Sequence, residues 1–370
     1  MELLLAEPQR IFADTAARLC ADFGGAKRLR ALRQAGEEMD REAWRAAISA
    51  GWLATLVERD GAEGVGAFDL ALALEQAGRQ LMLVPLVEAG AVALTLAQVP
   101  LHAAALADLL AGRRLIVPAT EPAGLRLGPG GDGVRFDDRA GELNGAIAFV
   151  PYARSADMLL VDTGTALCLV PADAAGVTVT TSGNVDGSMS SRIAFDRVQV
   201  PATDAIARGS EAQRLAARMQ EFLALGVAAE LIGLASGALD VTLDYIKLRQ
   251  QFGKAIGSFQ SLQHRAVDRF IDIELDRSLL YRVLAEFDAG EHHPAMVDAV
   301  KARASRTAFA IVREALQMHG AIGYTEEHDI GLYYKRAIAL GACYGGEMSH
   351  TARFSSLTLD ADGIAAGAAS

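Results

Sequence analysis

The chain runs to 370 residues, 51% hydrophobic and 22% charged, with a formal net charge of −11. That length outgrows one ordinary core and predicts two or three domains, and so apolar a composition excludes wholesale disorder. The acidic balance excludes the clustered Lys and Arg of a duplex-binding surface, so no nucleic-acid partner is expected. Three cysteines, Cys20, Cys168 and Cys343, lie far apart with no Cys-x-x-Cys pair. Neither a disulfide framework nor a zinc site is expected, which suits a reducing cytoplasm.

The run Met1–Glu7 lacks a basic segment and loses its apolar character at Glu7, so no secretory leader is expected. Residues 1–112 have an Ala/Leu/Glu/Arg texture with apolar positions at helical spacing, such as Phe12, Ala16 and Leu19. The greasiest stretch, Leu81 to Leu110, is interrupted by Glu88, His102 and Asp108 and broken by Pro85 and Pro100. A membrane span wants roughly 20 consecutive apolar residues; short core helices are predicted here instead, and no membrane span.

From 113 to 208 the texture changes. Leu115–Val117, Gly133–Phe136, Met158–Val161, Leu167–Val170 and Ile193–Phe195 are short β-prone runs punctuated by Gly, Asp, Pro and Asn. They predict an antiparallel sheet or small barrel, with Ser191–Val200 alternating like a half-buried strand. From 209 to 370 the chain returns to helix. Glu211–Lys247 contains no proline and predicts one long helix, on which Gly226, Gly233 and Gly237 would admit a close neighbour. Phe259, Leu262, Ala266, Phe270, Ile273, Leu280, Leu284 and Phe287 mark a second helix with a broad apolar face. Pro294 opens a third, with Met296, Val300, Ala304, Ala308, Ile311 and Ala315 inward. Such helices pack as an antiparallel bundle, and the Ala/Gly-rich tail Asp360–Ser370 is expected to fray. The fold class is α+β multidomain, with an N-terminal helical domain (1–112), a middle antiparallel β domain (113–208) and a C-terminal helical bundle (209–370).

Two motifs carry chemistry. Arg249 to Gln260 sets an Arg at a helix end beside a Phe and a Gly. A guanidinium there can clamp a phosphate or diphosphate, or simply complement a helix dipole before a glycine stop. Gln317 to Thr325 contains Gly-x-x-Gly-Tyr, where glycines let the backbone approach a ligand and Gln pairs with an amide or ribityl group. An ordinary C-cap loop with a core Tyr reads the same way. The seven histidines show no His-x-x-x-His spacing, so no metal is expected; hydrolase, nucleotide-triphosphatase and Rossmann signatures are missing too.

Taken together, Arg-x-Gln-Phe-Gly-x-x-Ile-x-x-Phe-Gln, a long helix and Gln-x-x-Gly-x-x-Gly-Tyr resemble the C-terminal domain of the acyl-CoA dehydrogenase family. Ala228–Ala235 resembles that domain's first helix, and Glu75-Gln76-Ala77-Gly78-Arg79 an N-terminal motif. The resemblance implies a helical, β and four-helix-bundle architecture, an acyl-CoA substrate, and non-covalent FAD at a tetramer interface. It also brings an electron-transferring flavoprotein as redox partner. In the family a glutamate removes the α-proton while hydride leaves the β-carbon for flavin N5. The implied cofactor residues are Arg249, Phe252, Gln260, Gln317, Gly320 and Thr120.

The departures are as informative. Counting from Arg336 puts Gly345 where the base of the family's Tyr-Glu-Gly-Thr belongs, leaving Glu347 as a weak substitute that also reads as a helix N-terminal carboxylate. The alternative base position on the first bundle helix is Leu223; Glu221 points roughly opposite, and Ala224 replaces a customary Arg. Thr120-Glu121-Pro122 continues as Ala123-Gly124-Leu125-Arg126 rather than Gly-Ser-Asp, and Ala148-Phe149-Val150-Pro151 stands for a Trp/Ile-Thr segment. In the family the retained motifs reach a neighbour's FAD and the altered ones act at home. The chain therefore resembles the glutamate-deficient subunits of bacterial heteromeric, steroid-degradation-type members. A self-sufficient homotetramer with a relocated base, and a flavin-free scaffold or CoA-binding protein, are the alternatives.

Overall fold

The structure, a computed structural model, describes residues 5–57, 66–121 and 133–359. The tail 360–370 and the stretch Pro122–Arg126, on which two expectations fall, lie outside the described residues. Helices come first: α1 (Glu7–Phe23), α2 (Ala26–Ala35), α3 (Arg41–Ser49), α4 (Ala67–Arg79), α5 (Leu86–Leu96) and α6 (Ala103–Leu110). Strands follow: β1 (Ile116–Ala119), β2 (Arg135–Asp137), β3 (Glu142–Pro151), β4 (Met158–Asp162), β5 (Ala166–Pro171), β6 (Val177–Gly183), β7 (Met189–Gln199) and β8 (Ala205–Arg208). The rest is α7 (Gly209–Leu248), the short pair β9 (Gln250–Gln251) and β10 (Lys254–Ala255), α8 (Gln260–Asp288), α9 (Pro294–His319), α10 (Ile330–Ala342) and α11 (Glu347–Leu359). The chain folds as two compact units, one drawn from 1–26, 67–82 and 224–370, the other from 27–66 and 83–223.

In the first unit α4 crosses the later part of α7 at backbone distance. A Cβ at Gly233 would sit 1.8 Å from the Glu75 carbonyl oxygen, and one at Gly78 would sit 2.1 Å from that of Glu230. Each helix thus needs glycine where the other passes; Gly237 faces Arg79 O in the same way. Asp288, at the end of α8, accepts hydrogen bonds from the N–H groups of Ala67 and Phe68 (2.8 and 2.9 Å) and so caps α4. Pro294 occupies the first turn of α9, as expected. The apolar face of α8 is split, however. Ala266, Ile273, Leu280, Leu284 and Phe287 are buried, whereas Phe270 is 55% exposed beside Val267, Ile271 and Leu275. At 3.6 residues per turn these four lie on a second face.

The second unit holds two four-stranded sheets, ordered β1-β4-β5-β8 and β2-β3-β7-β6. The pairing is antiparallel except between β1 and β4, which run parallel with Ile116 opposite Met158. Strand β7 buries Ile193, Phe195 and Val198 on one face. Strand β3 bulges between Ile147 and Val150, and there Phe149 takes φ +60 with 68% of its surface exposed. Among the described residues one helix, α7, is long and apolar enough to cross a membrane; 94% of that window is buried inside the protein, so it is a core helix.

Candidate functional site

The end of α7 runs through Arg249 into a two-residue hairpin. Its central residues, Phe252 and Gly253, have φ of +53° and +79°, the signs of a type I′ turn. Gly253 adopts this freely, but a phenylalanine in the left-handed region costs about 1–2 kcal/mol. Phe252 nevertheless stands 91% exposed, its ring edge-on to Phe259 at 6.2 Å, while Lys254 Nζ lies 4.2 Å over the Phe259 ring. Arg249 fixes the hairpin through its backbone, donating to Tyr245 O (2.9 Å) and accepting from Ile256 N (2.8 Å), and its side chain is exposed. Gln260 opens α8 and is exposed too.

At the end of α9, Gln317 is exposed and Gly320 has φ +66°, where an added Cβ would meet no atom within 4 Å. The two motifs share one end of the bundle. The Tyr245 ring, one turn before Arg249, stacks on His319 at 4.4 Å, and its hydroxyl donates to His319 O at 3.3 Å. Sequence reasoning passed over His319. It is buried, its Nδ1–H donates to Ala315 O at 2.8 Å, and burial pushes it below the usual imidazole range, with nearby His328 adding to the effect. A groove of about 680 Å³ opens beside it, lined by Arg269, Arg313, Gln317, Tyr324, Tyr334 and Lys335, among others.

Gly345 occupies a closed corner of the same unit. Its φ is +107° and an added Cβ would lie 2.7 Å from His350 Nε2. Its N–H donates to Ala342 O at 3.3 Å and is thereby engaged in a turn. Its carbonyl accepts from Lys301 Nζ at 3.0 Å; this ammonium is wholly buried and also donates to Gly341 O and Ser305 Oγ, both at 3.1 Å. Burial pulls Lys301 down to about 8. His350 Nδ1 lies 2.7 Å from Asp298 Oδ1 and Nε2 lies 3.1 Å from Tyr344 O. Nothing in the spacing marked Lys301, which reads as one surface cation among many on α9. Glu347 opens α11 and pairs with Arg306 at 2.7 Å. Leu223 is fully buried, and Glu221, also buried, lies 3.6 Å from Arg218.

Thr120 lies in the other unit, at the end of β1, only 6% exposed. Its hydroxyl donates to Asp162 Oδ2 at 3.0 Å and accepts from Gln220 Nε2 at 3.0 Å. The residues of the two units fit a flavin dinucleotide differently. In the helical unit, an exposed guanidinium, an exposed ring, an exposed amide and a glycine with open space beside its Cα suit a diphosphate and its sugars. The Thr120 hydroxyl, satisfied within the protein, does not.

Residues 213–349 match the family described as "Acyl-CoA dehydrogenase, C-terminal domain". Over 116 residues the chain is 45% identical to acyl-CoA dehydrogenase IpdE2 of Mycolicibacterium smegmatis, a match spanning 31% of this chain and 35% of that protein. Among solved structures it is similar to a variant of the Tcur3481-Tcur3483 steroid ACAD, with a TM-score of 0.84, 28% identity, and 98% and 99% of the two chains covered. The fold is shared with the ChsE4-ChsE5 complex from Mycobacterium tuberculosis, with a TM-score of 0.84, 24% identity, and 96% and 98% covered. Residues 213–349 thus carry the pattern of the acyl-CoA dehydrogenase C-terminal domain, and along nearly its whole length the chain shares its fold with a steroid ACAD.

Proposed function

We propose that this chain is the non-catalytic subunit of a mixed acyl-CoA dehydrogenase tetramer. It lends Arg249, Phe252, Gln260, Gln317 and Gly320 to FAD held by a related, glutamate-bearing subunit. The observation that carries the reading is a contrast. Phe252 is held in solvent on an unfavourable backbone beside Arg249, whereas Gly345 offers no side chain where the family's base stands. FAD, when bound, supplies the hydride acceptor for α,β-dehydrogenation of an acyl-CoA thioester. This chain's part is to bind and orient it: Arg249 against the diphosphate, Gln317 and the Gly320 backbone against polar groups of the dinucleotide.

Glu347 serves poorly as a relocated base because Arg306 already holds its carboxylate. The likeness to a steroid ACAD supports a bulky, polycyclic acyl group. Domain limits at 112 and 208, a cytoplasmic setting and an electron-transferring flavoprotein as acceptor belong to the same proposal.

The test is co-expression with a related subunit that carries the glutamate. Arg249→Ala should lower the flavin absorbance of the purified assembly while far-UV circular dichroism and subunit ratio stay the same. Unchanged flavin content would overturn the assignment. A lone chain that is yellow and bleaches on adding acyl-CoA would favour the self-sufficient homotetramer, and a colourless chain that activates no relative would favour the scaffold.

A further inference from the structure

We infer that this chain's own flavin corner, at Thr120, is closed by an internal clasp made of Gln220 and Asp162; the inference rests on the subunit role just proposed. A threonine hydroxyl has one proton to give, and here it goes to Asp162 Oδ2 at 3.0 Å. The amide of Gln220, on the first half of α7, closes over the same point. Its Nε2, with two hydrogens to share, lies 3.0 Å from Thr120 Oγ1 and 3.3 Å from both Glu121 O and Asp162 Oδ2. The other carboxylate oxygen of Asp162 accepts from Gly164 N at 2.8 Å. Hydroxyl, amide, carboxylate and the Glu121 carbonyl therefore satisfy one another.

A flavin ring edge is a row of amide-like donors and acceptors. To hold it, Thr120 would have to release Asp162, and this partly buried carboxylate would lose one of its donors. The Asp162 charge adds a second penalty, because a reduced flavin is electron-rich and a neighbouring carboxylate opposes it. Both terms act in the same direction. The helical end of this chain is open to a dinucleotide while its β-sheet corner is shut, so the mixed assembly holds one flavin for each pair of unlike chains.

The experiment measures FAD against polypeptide in the purified mixed assembly, by flavin absorbance after denaturation. One flavin per unlike pair is expected; one per chain overturns the inference. The clasp itself is tested on the lone chain by equilibrium dialysis against FAD, comparing the unaltered protein with Asp162→Ala and with Gln220→Ala/Asp162→Ala. Freeing the hydroxyl should tighten binding about tenfold, the worth of one recovered hydrogen bond. Asp162→Ala, the single change that frees the hydroxyl's proton, keeps the comparison meaningful if the double variant folds poorly, and equal affinities in the folded variants would overturn the assignment. Failure here leaves the Arg249→Ala result standing, since that variant reports on the partner's flavin and this one on the chain's own.

Discussion

Lys301, wholly buried on α9, donates its ammonium to the carbonyl oxygen of Gly345 at 3.0 Å. The interaction holds the turn between α10 and α11 from beneath, together with Gly341 O and Ser305 Oγ. Lys301→Met should therefore leave the Gly345 carbonyl without its donor and weaken the hold on Gly341 O, and destabilise the chain by about 1–3 kcal/mol, read from urea denaturation. The variant should also remove a pH dependence. Burial sets Lys301 at about 8 in the folded chain, below its ordinary value. The folded state thus binds fewer protons than the unfolded state from about pH 8 upward to the ordinary lysine range, and this group's contribution to stability rises with pH across that window.

Under the proposed role Gly345→Glu would restore a base, but the backbone argues otherwise. With φ at +107° and His350 Nε2 2.7 Å from the new Cβ, the substitution should cost about 1–3 kcal/mol in thermal melting. It should yield no acyl-CoA oxidation by itself. Restored turnover with an unchanged melting temperature would show that the turn adapts.

Phe252 should behave as a residue kept for something other than stability. Phe252→Gly in the isolated chain should be neutral or stabilising by up to about 1 kcal/mol, because the left-handed position then costs nothing. The same change in a mixed assembly should lower flavin retention. A chain destabilised by Phe252→Gly would instead assign the ring a packing role.

The helix crossing makes a separate prediction. Gly233→Ala places a methyl group 1.8 Å from the Glu75 carbonyl oxygen, which only movement of α4 or α7 can relieve. A loss of about 3 kcal/mol or more in denaturant unfolding is expected, and Gly78→Ala should do the same. The two losses should not add, because whichever comes first already separates the helices.

Much of the architecture was legible because it depends on local pattern. The proline-free run 211–247 forms α7, Pro294 starts α9, and the β-prone runs contribute to β1, β2, β4, β5 and β7. Gly233 and Gly237 foretold the close helix crossing. The strands β3, β6 and β8 escaped because half-exposed, Thr-rich or Gly-containing runs alternate weakly. The parallel β1–β4 pair and the outward turn of Phe270 depend on which element lies alongside, which periodicity does not encode. The site divides in the same way. Arg249, Phe252, Gln317 and Gly320 lie in contiguous motifs at helix ends. The grip of Gln220 on Thr120 joins residues 100 positions apart, and Lys301 reaches 44 positions to Gly345. Neither spacing carries a recognisable signature.

The cap that Asp288 places on α4 bridges more than 200 residues, 221 to Ala67 and 220 to Phe68. During synthesis the nascent α4 emerges from the ribosome long before that carboxylate exists, with its glycine face toward α7 also uncovered. The unit drawn from 27–66 and 83–223 can fold cotranslationally, but the helical unit is completed only once α8 to α11 have been made, so early release or ribosome stalling before them should yield a chain that chaperones retain.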